Sequence, residues 1–136
     1  MLSRDFSLSV RVYIEDADPG GIVYYVNYLK YMERARTEFM RTLGFDRSAT
    51  FSKELMFVVR NIEARYISPA VLDDELCVTV DVLRVGGASF NLHQCILRNN
   101  ENLVECSLRL AAVSRSSMTP CRLPKDMFLA LRSEVS

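Results

Sequence analysis

The chain has one histidine, His93, and four cysteines, Cys77, Cys95, Cys106 and Cys121, none of them in a C-x-x-C pair. That spacing argues against a zinc cage and against a disulfide framework, and the expectation is no metal. Charge of one sign is also lacking. Seventeen basic residues balance seventeen acidic ones, so no net field draws the chain to nucleic acid or to an anionic membrane. No apolar run approaches the roughly 18 residues of a membrane-spanning helix, so no transmembrane segment is expected. Residues 1–11 hold no apolar signal-peptide core, and the reading is a cytoplasmic protein with reduced thiols. Gly-x-Ser-x-Gly, H-E-x-x-H and a phosphate-cradling glycine loop with lysine are all missing, which argues against the hydrolases that use them. There are no repeats and no interior linker, and 136 residues suit one domain spanning 1–136.

What is present is a periodic pattern that changes once. Residues 6–15 alternate, with Leu8, Val10, Val12 and Ile14 on one face, and predict a half-buried strand. From about Ile22 to Leu43, Leu29, Met32, Ala35, Phe39 and Leu43 recur every three or four residues. That predicts a long amphipathic helix ended by Gly44, with Asn27 as its N-cap if regular helix starts late. Residues 45–54 read as a loop or short helix. Strands follow at 56–67, at Leu76–Val82, from Phe90 to Ile96 and around Cys106–Ala112, and Lys125–Arg132 forms a short helix. Gly86-Gly87 and Asn99-Asn100-Glu101-Asn102 mark hairpin turns, while Ser68-Pro69 and Asp73-Asp74 bracket another turn. The sum is an α+β fold, one long helix on an antiparallel five-stranded sheet. One helix cannot cover both faces of such a sheet, so an outer face or an edge is left for another subunit.

The most informative segment is Tyr13 to Tyr28, which sets Asp18-Pro19-Gly20-Gly21 between the first strand and the helix. Asp-Pro-Gly-Gly makes a turn without any chemistry. Here, however, the turn feeds the longest helix, where unpaired N–H groups and the dipole favour negative charge. A carboxylate beside such donors suits attack on a carbonyl and stabilisation of the resulting oxyanion. Gly20 and Gly21 let backbone approach a ligand closely. Tyr24, Tyr25 and Tyr28 either line an acyl pocket or pack as core and interface. At Tyr25 the backbone N–H matters more than the ring. Glu15 and Asp16 read as solvated acids at a strand end. His93 and Cys95 share a strand face, a weak sign of a nucleophile with its base set against an ordinary buried thiol. Arg60, Arg65, Arg84 and Arg98 are candidate phosphate ligands, although scattered arginines are more often solvated surface and none is singled out.

The run Arg11-Val12-Tyr13, Glu15 to Tyr25, Asn27-Tyr28-Leu29 and Glu33-Arg34-Ala35-Arg36 resembles the 4-hydroxybenzoyl-CoA thioesterase family. The likeness is strongest to the branch associated with the bacterial Tol-Pal system. It continues through Phe57-Val58-Val59-Arg60, Tyr66, Pro69-Ala70 and Leu72-Asp73-Asp74 to Pro124-Lys125. The resemblance implies a hot-dog fold, with dimers or tetramers whose active sites lie between subunits. It also implies hydrolysis of an acyl-CoA thioester to free acid and CoA, with no cofactor. By this match Asp18 is the catalytic carboxylate and the Tyr25 N–H polarises the thioester carbonyl. Gly21 and Tyr24 then fall beside the substrate, and Ser89 matches a small hydroxyl position that reaches it from across the interface. The chain departs from the Tol-Pal-associated branch in having Tyr25 where that branch carries His, and Gly86 where it has Arg. Two alternatives stand beside hydrolysis: a non-catalytic module that binds an acyl thioester or acyl carrier protein, and a hot-dog hydratase.

Overall fold

The computed structural model describes residues 6–46 and 54–135. Strand β1 (Phe6–Arg11) leads through a single 3-10 turn (Ile14–Asp16) to helix α1 (Tyr25–Thr42). Then come β2 (Leu55–Tyr66), β3 (Glu75–Val85), β4 (Ser89–Arg98), β5 (Glu101–Ser114) and helix α2 (Lys125–Ser133). The predicted loop or short helix at 45–54 falls largely outside the described residues. No helix among the described residues is long and apolar enough to cross a membrane.

The five strands form one antiparallel sheet in the order β1-β3-β4-β5-β2. Two connections are tight hairpins. Asn99 and Asn100 both take the left-handed conformation (φ 49° and 69°), which a two-residue turn between twisted strands requires and Asn tolerates. At the other, Gly86 N–H donates to Ser89 O over 2.7 Å. The connection from β2 to β3 is no hairpin, because β2 and β3 stand three places apart in the sheet. The 67–74 segment crosses over the start of α1, where Val23 N–H donates to Ala70 O and Leu72 N–H to Gly21 O (both 3.0 Å). That crossing positions the Asp18 turn.

Alternation works as expected in β3 and β4: Leu76, Val78, Val80, Val82, Phe90, Leu92, Gln94 and Ile96 are all buried. α1 packs mainly on β1, β3 and β4 through Tyr28, Met32, Ala35 and Phe39. Tyr31 and Met40, absent from the predicted apolar stripe, are buried as well. Gly44 ends the helix at φ 97°, with Gly44 N–H to Arg41 O and Phe45 N–H to Met40 O at 3.0 and 2.9 Å. These two bonds make a Schellman cap and satisfy carbonyls that the helix end leaves open. Met127 and Leu131 of α2 complete the same core.

Two local expectations fail. Ile14 is 80% exposed, because the chain leaves the sheet at Arg11 and the period-2 pattern stops there. Asn27 is not the N-cap: α1 begins at Tyr25, and Tyr24 holds the extended cap conformation. The helix leaves the inner face of β2 partly bare, so Val59, Ile62 and Tyr66 on that edge strand are 44–47% exposed.

Candidate active site

The Asp18 turn is a short hairpin of its own. Ala17 pairs with Val23, Asp18 N–H donates to Ile22 O (2.9 Å), and Gly21 N–H donates to Asp18 O (2.9 Å). Gly21 closes the turn at φ 82°, a region that costs L-residues about 1–2 kcal/mol. The carboxylate folds back over this hairpin, and its Oδ1 accepts from Gly20 N–H (2.9 Å) and Ile22 N–H (3.3 Å). Oδ2 accepts no hydrogen bond among the described residues, and the side chain faces solvent. The carboxylate thus has one anchored oxygen and one free oxygen.

Two residues beyond Val23 the helix begins. Tyr25 occupies its first position, where the N–H lacks an intrahelical acceptor by geometry. No acceptor for it stands elsewhere among the described residues. Beside it is a depression of about 250 Å³ lined by Ile22, Tyr25, Tyr28, Tyr66, Ile67 and Pro69, among others. Three rings wall it, Tyr25 to Tyr66 edge-on at 6.2 Å and Tyr28 to Tyr66 at 5.7 Å. Tyr24 lies outside this wall, half exposed, with its ring 5.0 Å from that of Tyr25. Tyr28 is core and site at once. Its ring is buried, and its hydroxyl accepts from Ala70 N–H at 2.9 Å. Burial pushes the Tyr28 and Tyr66 hydroxyls above their usual range, so both donate rather than ionise. A larger groove of about 770 Å³ lies between β1 and the outer side of α1. Its charged lining is Glu33, Arg34, Glu38 and Arg41, partly self-neutralised by Arg41–Glu38 at 3.2 Å, and it includes no residue of the Asp18 hairpin.

Asp16 is the residue that sequence reasoning misjudged. It is buried rather than solvated. Its Oδ2 accepts from Tyr13 N–H (2.9 Å), and its carbonyl accepts from Tyr24 N–H (3.1 Å) and Asn27 Nδ2 (2.8 Å). The carboxylate therefore closes the 3-10 turn, and the backbone carbonyl ties that turn to the start of α1. The signal in the sequence was Asn27, read as a cap for its own helix when its amide serves the preceding loop. Tyr31 lies beneath, its buried hydroxyl facing the Asp16 carboxylate without a well-formed hydrogen bond among the described residues. Burial, and then the Asp16 carboxylate, push that hydroxyl far up.

The remaining candidates lie elsewhere. Ser89 opens β4 at the hairpin end of the sheet, its Oγ accepting from Arg109 Nε (3.3 Å). The Asp18 hairpin stands at the opposite end, tied to Val71 and Leu72 just before β3. Eleven residues of β3 separate the two ends, roughly 30 Å within one chain. Arg98 is committed to Asp74 (2.6 Å) and Glu101 (3.1 Å), and Arg65 lies 3.9 Å from Glu105. His93 and Cys95 do approach each other, Nδ1 to Sγ 3.9 Å. Burial, then Glu105 and Asp81, push the Cys95 thiol up, the wrong direction for a nucleophile.

Comparison with known proteins agrees with this architecture. The profile of the Thioesterase superfamily matches residues 20–105, beginning two residues after Asp18. The acyl-CoA thioesterase YbgC of Haemophilus influenzae is 41% identical over 93% of this chain and 94% of its own length. The protein of the same name from Helicobacter pylori strain J99 is 33% identical over 92% of this chain and 98% of its own. Among solved structures, a probable thioesterase from Bartonella henselae superposes with a TM-score of 0.81 at 35% identity, covering 88% of this chain and 99% of that one. A sheet wrapped on one long helix, a carboxylate hairpin at the helix start and a likeness that spans almost the whole chain lead to one assignment: this protein is a member of the thioesterase superfamily, with the hot-dog fold.

Proposed function

We propose that the protein hydrolyses acyl-CoA thioesters to free acid and CoA at the junction of the Asp18 hairpin and α1. One observation carries the reading: the Tyr25 N–H has no acceptor among the described residues, at the positive end of an 18-residue helix that starts two residues after Val23, which pairs with Ala17 across the Asp18 hairpin, and Asp18 Oδ2 has no hydrogen bond among those residues either. The thioester carbonyl oxygen takes the Tyr25 N–H, and charge developing on it in the transition state is stabilised there. Asp18 Oδ2 either attacks the carbonyl carbon, forming a mixed anhydride and expelling the CoA thiolate, or takes a proton from an attacking water. Gly20 and Ile22 amides hold Oδ1, which orients the carboxylate. Gly21 and Tyr24 border the acyl path, and the tyrosine-walled depression receives the acyl group.

Ser89 serves a neighbouring subunit's site, since it is a sheet length away from Asp18 of its own chain. The active form is therefore a homo-oligomer, a dimer or a tetramer built from two dimers. The half-exposed apolar residues along edge strand β2 support that assembly. The chain acts as one domain in the cytoplasm, on CoA or acyl-carrier-protein thioesters.

The test is thiol release over a panel of acyl-CoAs with wild type and Asp18→Asn. Loss of most turnover in a folded variant is expected, and near-normal turnover overturns the assignment of Asp18. A wild type that binds acyl-CoA without releasing thiol is the non-catalytic module. The solvent-facing Asx-type turn of Asp18 is what that second reading has in its favour. Two measurements separate the chemical routes: label in the Asp18 carboxylate after single-turnover hydrolysis in ¹⁸O-water requires side-chain attack with water entering at Asp18 Cγ, and trapping with hydroxylamine detects the anhydride when water enters at the acyl carbon instead. Label in the released acid alone with nothing trapped is the water route.

A further inference from the structure

We propose that His93, Cys95 and Glu105 form a binding site for a thiophilic divalent cation, Zn²⁺ foremost, on the sheet face opposite α1. One donor atom from each of the three side chains lies within 4.8 Å of the other two. His93 and Cys95 are two apart on β4 and so point the same way. Their neighbours Leu92, Gln94 and Ile96 point inward, Gln94 donating through Nε2 to Met32 O of α1 at 3.1 Å. Glu105 stands directly opposite Cys95 in the β4–β5 register. All three side chains are partly exposed and reachable from solvent.

The sequence hid this site because its third ligand comes from the next strand, ten residues on. A tetrahedral zinc ion with ordinary Zn–S and Zn–N lengths sets its sulfur and nitrogen about 3.5 Å apart. Cys95 Sγ and His93 Nδ1 are 3.9 Å apart, so a small rotamer adjustment closes the pair. One thiolate, one imidazole and one carboxylate are a zinc donor set, whereas Ca²⁺ and Mg²⁺ prefer all-oxygen ligation. The thiolate and the carboxylate together cancel the cation's charge. Asp81, opposite His93 on β3, adds further negative potential. Asn102 Nδ2 holds Glu105 Oε2 at 3.0 Å and leaves Oε1 to the metal. The competitor for Oε1 is Arg65, whose side chain is 75% exposed and free to swing away. Binding replaces the Cys95 S–H proton with an S–Zn bond and releases that proton to solvent. The ion ties β4 to β5 in mid-sheet, with water in its fourth position. None of the three ligands belongs to the Asp18 hairpin, so the site stands or falls independently of the hydrolase reading.

Metal-free protein titrated with Zn²⁺ against a chromophoric chelator is expected to take up one ion per chain with sub-micromolar affinity. Co²⁺ in its place should give a thiolate-to-metal charge-transfer band. A hundredfold excess of Zn²⁺ over Kd should raise Tm by roughly 5–10 °C. Cys95→Ser should abolish the band, and Cys95→Ser and His93→Gln should each weaken binding by about 100-fold or more, beyond what outer-shell changes do. Cys77→Ser, which removes the exposed thiol, should leave both unchanged. Binding that survives Cys95→Ser and His93→Gln, or that is absent from wild type, overturns the site. X-ray absorption of the zinc-loaded wild type tests it without any variant: one sulfur with nitrogen and oxygen ligands is expected, and a shell of oxygen and nitrogen alone overturns it.

Discussion

Asn27 reaches back from the first turn of α1 to the carbonyl of Asp16, Nδ2 to O 2.8 Å. The same carbonyl accepts Tyr24 N–H at 3.1 Å. The start of the helix and the loop before it are thus one hydrogen-bonded piece. Asn27→Ala removes the side-chain bond and leaves the backbone one, so the stability cost should be about 1 kcal/mol. Its effect on kcat should be larger than that cost suggests, because the relative placement of Asp18 and the Tyr25 N–H is what loosens. Paired thermal melts and turnover measurements on this variant check both halves.

Asp18→Asn keeps the shape of the side chain and its acceptor oxygen toward Gly20 and Ile22, but removes the charge. Tm should stay within a degree or two. Thiol release should fall by about 10²–10⁴-fold if the carboxylate acts as a general base, and further if it is the nucleophile.

The two neighbouring glycines should fail differently. At Gly21 a Cβ meets nothing within 4 Å, so Gly21→Ala suffers only from φ 82° and should cost about 1–2 kcal/mol of stability. At Gly20 a Cβ falls 3.3 Å from Asp18 Oδ1. Gly20→Ala should therefore push the carboxylate aside, lowering kcat more than Tm. Calorimetry and initial rates on the two variants separate strain from misplacement.

Tyr31 has a buried hydroxyl beside the Asp16 carboxylate and a strongly raised pKa, so it is neutral in the fold well into the alkaline range. In the unfolded chain it ionises near pH 10. Above that pH the unfolded state binds fewer protons than the native one, and stability falls as pH rises. Tyr28 and Tyr66, also shifted upward, add to the same loss. Tyr31→Phe should soften the decline above pH 10, and its effect at pH 7 should be about 1 kcal/mol or less, because the hydroxyl faces the Asp16 carboxylate but makes no well-formed hydrogen bond. Denaturant titrations at pH 7 and at about pH 10.5 measure both effects.

Periodicity carried far where one face is wholly covered. β3 and β4 were legible because every second residue, from Leu76 to Val82 and from Phe90 to Ile96, meets the helix or the core. Asn99-Asn100 was legible because few residues accept two left-handed positions in succession. The crossing from β2 to β3 was not, since Ser68-Pro69 and Asp73-Asp74 mark bends without saying which strands they join. Ile14 failed because alternation continues for several residues after the chain has left the sheet. Asp16 failed because nothing local distinguishes a carboxylate buried under a tyrosine from one in water. The Asp18 turn was found by its glycines and its place before the helix, whereas its hydrogen bonds to Gly20 and Ile22 follow only from the folded loop.

The distance from the Asp18 hairpin to Ser89 sets a limit on what one molecule does alone. If catalysis draws on both, no isolated chain owns a whole site, and rate per chain ceases to be constant in dilute solution. Specific activity should drop once protein falls below the dissociation constant of the assembly, and should recover on concentration. Mixing inactive Asp18→Asn with a Ser89-impaired partner should restore part of the lost turnover, each lending the other its intact end.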